Sequence, residues 1–268
     1  MDTQEALQKA EEILKDLAVS FNRPEIHNAF NSTVITELTH AFAQIEKSND
    51  VRVVVLTGEG KSFCAGADLN WMRSVITQSF DENLAEATAL AELFHLIYNL
   101  RQPVIARVNG AAIGGGTGFV AVCDIAIAAR SSKFSFSEVK IGVVPACIGP
   151  YVVKKLGEGR ARELFITGER MDAARAHEVG LVNRVADDDT LDAAIDEIIQ
   201  AILTSGPEAV AMAKKLISNV PAMTPSEYKP YTAEMIAKLR ISNEGQEGMD
   251  AFLNKRLPSW VPAKKAGR

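Results

Sequence analysis

The chain is expected to be an α/β fold, and three observations lead there. Short β-rich runs alternate with amphipathic helical patterns through the first two thirds of the 268 residues. The last third carries helical patterns only. Hydrophobic residues at 47% and charged residues at 24% match an ordinary globular chain, long enough to bury a substantial core. Alternation of this kind implies parallel sheet with helical crossovers.

The elements follow in order. Val34, Leu38, Ala41, Phe42 and Ile45 make the first apolar helical stripe. Residues 51–57, ending at Gly58, are a buried strand by composition. Leu84, Ala87, Leu90, Ala91, Phe94 and Ile97 form a second stripe, with Ser79 and Glu82 spaced as a capping box. Residues 103–108 and 125–128 are further strands. Asp172 can cap a helix that Gly180 closes, just before a strand at 181–185. From Thr190 onward the segments are helical, the stripe Leu191, Ile195, Ile198 and Ile202 stopping at Ser205-Gly206-Pro207. We therefore expect a core over 1–195 and a helical region over 196–268.

Composition also excludes. Lys and Arg total 29 against 34 for Asp and Glu, a formal charge of −5. The basic excess of a nucleic-acid-binding surface is missing. Cys64, Cys123 and Cys147 are too few and too scattered for a disulfide framework or a clustered zinc site, and they suit a reducing compartment. The start is acidic, unlike a secretory leader. No apolar run approaches the ~20 residues of a membrane span. The expected location is the cytoplasm.

Three segments carry chemistry. Gly58-Glu-Gly-Lys-Ser-Phe-Cys-Ala-Gly-Ala-Asp-Leu69 follows a strand, where α/β folds place ligands, and its small residues let a ligand approach backbone N–H groups. Asn109-Gly-Ala-Ala-Ile-Gly-Gly-Gly-Thr-Gly118 also follows a strand and opens a helix. A glycine cluster there aims free amides at one point, an anion or oxyanion site. Its spacing fits neither a dinucleotide fingerprint nor a phosphate loop. Phe134-Ser-Phe-Ser-Glu-Val-Lys-Ile-Gly-Val-Val-Pro145 presents one acid, Glu138, which in isolation reads as a solvated charge.

Together these segments resemble the crotonase (enoyl-CoA hydratase/isomerase) superfamily. The likeness rests on Asn22-Arg-Pro-Glu, Asn28-Ala-Phe-Asn31, Phe63-Cys-Ala-Gly-Ala-Asp-Leu69, the glycine run 114–116 and Ser137-Glu138…Gly142…Pro145, in one order from about residue 17 to Arg256. Finer stretches, 67–72, 137–142 and 168–181, are most similar to bacterial 3-methylglutaconyl-CoA hydratases of leucine breakdown. The resemblance implies a spiral core of repeated β-β-α units and a C-terminal helical region that builds homotrimers or hexamers. It implies that the amides of Ala67 and Gly115 form an oxyanion hole for a thioester carbonyl, with Glu138 as acid/base. Ala65, Gly66, Asp68, Leu69, Gly114, Gly118 and Lys255 would contact the acyl-CoA. Coenzyme A is then part of the substrate, and no separate cofactor is expected.

One position departs from the pattern. Two-acid hydratases of the superfamily carry a glutamate where this chain has Gly118, so a side chain is missing from the helix face shared with Gly115. Hydration through Glu138 alone is the leading expectation. Isomerisation and decarboxylation suit a single acid too. A non-catalytic acyl-CoA binder, or an RNA binder using Lys255-Arg256 and Lys264-Lys265, is the competing class. Asp68 reads as a turn or cap residue, and Lys255 equally as a solvated charge. Trp71, Met72 and Phe80 read as acyl-pocket lining or as core. His27, His40, His95 and His177 are too dispersed in sequence for metal ligands.

Overall fold

The computed structural model describes residues 16–261. A five-stranded sheet runs in the order β1 (Asp16–Phe21), β2 (Val53–Gly58), β4 (Val104–Val108), β6 (Ile125–Ala129) and β9 (Arg184–Ala186). Every neighbouring pair in it is parallel. A second sheet holds β3 (Ser62–Cys64), β5 (Ala111–Ile113), β7 (Lys133–Ser135) and β8 (Arg170–Asp172), the last antiparallel to β7. Consecutive strands thus alternate between sheets: β2 then β3, β4 then β5, β6 then β7, each pair followed by helix. This is the expected spiral of β-β-α turns.

The helices between are α1 (Ser32–Lys47), α2 (Leu69–Val75), α3 (Phe80–Asn99), α4 (Gly115–Val122), α5 (Gly149–Leu156), α6 (Glu158–Thr167) and α7 (Ala173–Glu178). Asn31 caps α1, and Ser79 with Glu82 completes the capping box of α3. Strand β2 is apolar over residues 53–56 because both its faces are covered there. Val54 and Leu56 face the main core with α1, α3 and α4. Val53 and Val55 meet α8 (Leu191–Leu203) through Leu191, Ile195, Ile199 and Leu203. The expected boundary at 195/196 falls inside this helix, which packs on the sheet.

Two expectations shift. Residues 181–183 do not pair as strand, and β9 begins only at Arg184. The amides of Leu181 and Val182 turn back to Ala176 O, closing α7, and their side chains are buried for that reason. Of the stripe on α3 only Phe94 and Ile97 are buried, joined by Leu93 from outside it, while Leu84 stands exposed.

Beyond α8 lie α9 (Pro207–Asn219), α10 (Pro225–Ile241) and α11 (Asn243–Leu253). They are pinned by polar contacts. Lys214 Nζ donates to Gln102 O at 2.9 Å and meets Asp124 Oδ2 at 2.7 Å. The Glu244 carboxylate accepts the amides of Glu208 and Ala209, both at 2.8 Å, at the start of α9. No described helix is long and apolar enough to cross a membrane.

Candidate active site

Strands β3 and β5 are parallel neighbours, so the loops that follow them leave from the same end of the small sheet. Those loops are 65–68 and the turn at Gly114. They press together: a Cβ on Gly66 would lie 2.7 Å from Ile113 O. Phe30 ties them. Its amide donates to Gly66 O at 2.9 Å, and its carbonyl accepts from Asp68 N at 2.8 Å. Its ring meanwhile lies 2.7 Å from where a Gly115 Cβ would stand.

The amides along both loops divide into two sets. Ala65 N donates to His27 O at 3.0 Å and Gly114 N to Ser135 O at 2.8 Å. The amides of Ala67 and Gly115 make no hydrogen bond among the described residues. For Gly115 the reason is its place as first residue of α4, where no intrahelical acceptor exists. Gly114 turns the chain into that helix at φ +55°, which favours glycine. Thr117 Oγ1 fastens α4 to the small sheet, donating to Ala112 O at 2.6 Å and Ser135 O at 3.0 Å. At the far end Lys155 Nζ donates to Cys123 O at 2.6 Å and Ala121 O at 3.3 Å. Both ends of α4 are therefore fixed.

Glu138 sits in the 3-10 turn Ser137–Ile141, directly after β7. Its Oε1 lies 3.2 Å from where a Gly114 Cβ would stand, so the carboxyl borders the glycine run. Its Oε2 is buried without a hydrogen-bond partner. Burial pushes its pKa above the usual carboxylate range, since desolvation disfavours the charged form. A carboxyl with a raised pKa beside two free amides can move a proton next to a developing oxyanion.

The remaining expected residues divide. Asp68 caps α2, its Oδ1 accepting from Asn70 N at 2.8 Å, and pairs with Arg23 at 2.8 Å. The Asn70 amide first, and Arg23 with it, hold its carboxyl below the usual range. Leu69 is 70% exposed at the end of the same loop. Gly118 is buried in α4, and a Cβ there would lie 2.2 Å from Ile148 Cγ2. Lys255 is exposed in the turn after α11, and no hydrogen bond or ion pair joins it to loop 65–69.

Trp71 packs against Phe30 and donates to Glu86 Oε2 at 2.8 Å. Met72 is half-buried, and Phe80 is 78% exposed rather than core. Arg256 is tied to Glu247 and Asp250, which neutralises half of one basic pair; Lys264 and Lys265 lie outside the described residues. No group of three metal-ligating side chains forms among the described residues. Burial pushes the thiols of Cys64 and Cys123 up to about 12. Ile148, Glu86 and Lys155 escaped the reading of the sequence. Lys155 leaves a trace there only as one of the adjacent pair Lys154-Lys155 closing a helical stretch; Ile148 and Glu86 leave none.

Comparison with known proteins adds to this geometry. The enoyl-CoA hydratase/isomerase family matches residues 15–263. The short-chain-enoyl-CoA hydratase of Clostridium acetobutylicum is 33% identical, over 90% of this chain and 92% of that protein. The 1,2-epoxyphenylacetyl-CoA isomerase of Escherichia coli is 31% identical, over 91% of this chain and 94% of its own. The crystal structure of an enoyl-CoA hydratase from Shewanella pealeana superposes with a TM-score of 0.89 at 37% identity, over 97% of this chain and all of that one (100%).

Proposed function

We propose a reaction from one premise: the chain belongs to the enoyl-CoA hydratase/isomerase family. The reaction is hydration, and its reverse, of an enoyl-CoA thioester, with 3-methylglutaconyl-CoA or another branched acyl group as substrate. The amides of Ala67 and Gly115 receive the thioester oxygen. Glu138 takes a proton from water as the water oxygen bonds to the β-carbon. The electron pair of the double bond moves onto the thioester oxygen, giving an enolate. The proton then passes from Glu138 to the α-carbon as the enolate collapses. Each aimed amide lowers such a barrier by about 3 kcal/mol.

One observation carries this reading: two unused amides flank Phe30, and the unpaired carboxyl of Glu138 borders the same glycine turn. Gly66 and Gly114 support it by letting the loops touch. The bare Leu69 side chain suits contact with the coenzyme. Assembly as a homotrimer or hexamer, a place in leucine breakdown and a cytoplasmic location belong to the same proposal. The exposed Ile217, Ile241 and Phe252 on the last helices support assembly.

A second reading, double-bond isomerisation, draws on the Ile148 methyl that stands where a side chain at residue 118 would begin. With one carboxyl, a proton can leave one carbon and return to another without water. Incubation with 3-methylglutaconyl-CoA and with crotonyl-CoA, followed by mass spectrometry, separates the readings. A gain of one water supports hydration. Unchanged mass with a shifted double bond replaces it by isomerisation, and loss of CO₂ by decarboxylation.

A further inference from the structure

Gly118 stands one turn into α4, its amide closing on Gly114 O at 3.1 Å. A Cβ at this position would lie 2.2 Å from Ile148 Cγ2, 3.1 Å from Ile148 Cβ and 3.3 Å from Phe94 Cζ. The first of these is closer than side-chain carbons come. Only glycine fits at 118 while Ile148 keeps its place.

Ile148 is well held. It is 2% exposed, and its carbonyl accepts the amides of Tyr151 and Val152, both at 3.1 Å, at the start of α5. The preceding Cys147 touches α3 through Sγ and Ala87 O at 3.5 Å. Phe94 is braced in turn by Phe119, ring centroids 4.8 Å apart. Closely packed neighbours leave the isoleucine little room to swing aside.

The geometry points to Ile148 as a specificity-determining residue: it occupies the side-chain place of residue 118 and so limits the site to one carboxyl group, Glu138. This rests on the proposed function. It makes the pair 118/148 a unit, in which an acid can enter the helix face only when the isoleucine is cut back. The isoleucine, rather than the glycine alone, decides how many proton carriers the site holds.

Four proteins test this: the wild type, G118E, I148G and the double variant G118E/I148G. Thermal melting and water addition to crotonyl-CoA, followed by mass, are read on each. G118E lowers the melting temperature by about 10 °C or more, through overpacking and a buried charge. The double variant regains at least half of that loss. It also hydrates crotonyl-CoA about 10-fold faster than I148G does.

A G118E protein as stable as the wild type overturns the proposal. So does a folded double variant that gains no hydration over I148G while the wild type remains active. Should neither glutamate variant fold, G118A with and without I148A reads the same coupling without a charge, and no rescue there overturns it. If no protein converts any enoyl thioester although the pair still rescues melting, the proposed function has failed and the role of Ile148 falls with it.

Discussion

The spiral core and the last three helices are held by different forces. The five-stranded sheet is apolar on both faces, and α1, α3, α4 and α8 cover it. By contrast α9 buries no residue, α10 buries only Met235 and α11 only Ala251. Ile241 is 80% exposed and Phe252 82%. Polar contacts to the core carry the attachment instead: Lys214 to Asp124 and to Gln102 O, and Arg52 to Ser205 O just before α9. Glu244 over the start of α9 ties the last helices to one another. The candidate site therefore sits in the part organised by burial. The other part keeps its apolar side chains facing outward.

The contrast is broken most strongly at Glu138. Glu138→Gln keeps the shape of the side chain and removes its proton traffic. Turnover of the enoyl-CoA falls about 10³-fold, while binding of a CoA ester, measured by calorimetry, stays within a few-fold. Survival of activity within a few-fold overturns the assignment of Glu138.

Lys155→Met comes next. It strips the carbonyls of Ala121 and Cys123 of a buried donor, and we expect a stability loss of about 2–3 kcal/mol in urea unfolding. A loss near zero would mean that water replaces the ammonium there.

Glu244→Ala acts on the other region. Two amides of α9 lose their acceptor, for about 1 kcal/mol. Hydrogen exchange is expected to rise in α9 to α11 and to stay unchanged in the core strands. A uniform rise would show one cooperative unit and erase the comparison.

The smallest effect is a pH dependence. The pKa of Glu138 is raised in the folded chain, so its contribution to stability is full below the usual carboxylate value. That contribution is lost as pH rises through the raised value. Glu138→Gln is accordingly more stable than the wild type at neutral pH, and the gap narrows as melting is repeated toward pH 4. A gap independent of pH would place the effect elsewhere.

Much of this was legible because periodicity and composition report burial. The strand 51–57 and the stripe on α1 are apolar where the fold covers them. The glycine run and Glu138 were found through motif order. What stayed hidden has a physical reason. Strands β3, β5 and β8 are three residues each, too short for alternation to register. Leu181 and Val182 look like strand but are buried as the closing residues of a helix. At Gly118 the sequence shows an acid missing, yet only packing shows that the place is filled. Ile148 lies 30 positions away and becomes a neighbour through the spiral alone.

Lys155 has one more consequence. A free eight-residue helix behaves as a pair of opposite partial charges, whose far negative end weakens the attraction its near end exerts. Here a cation rests on that negative end, in surroundings of low polarisability. While the amine stays protonated, α4 acts toward its amino end as a net positive body, so negative charge gathering there meets a field that decays more slowly with distance.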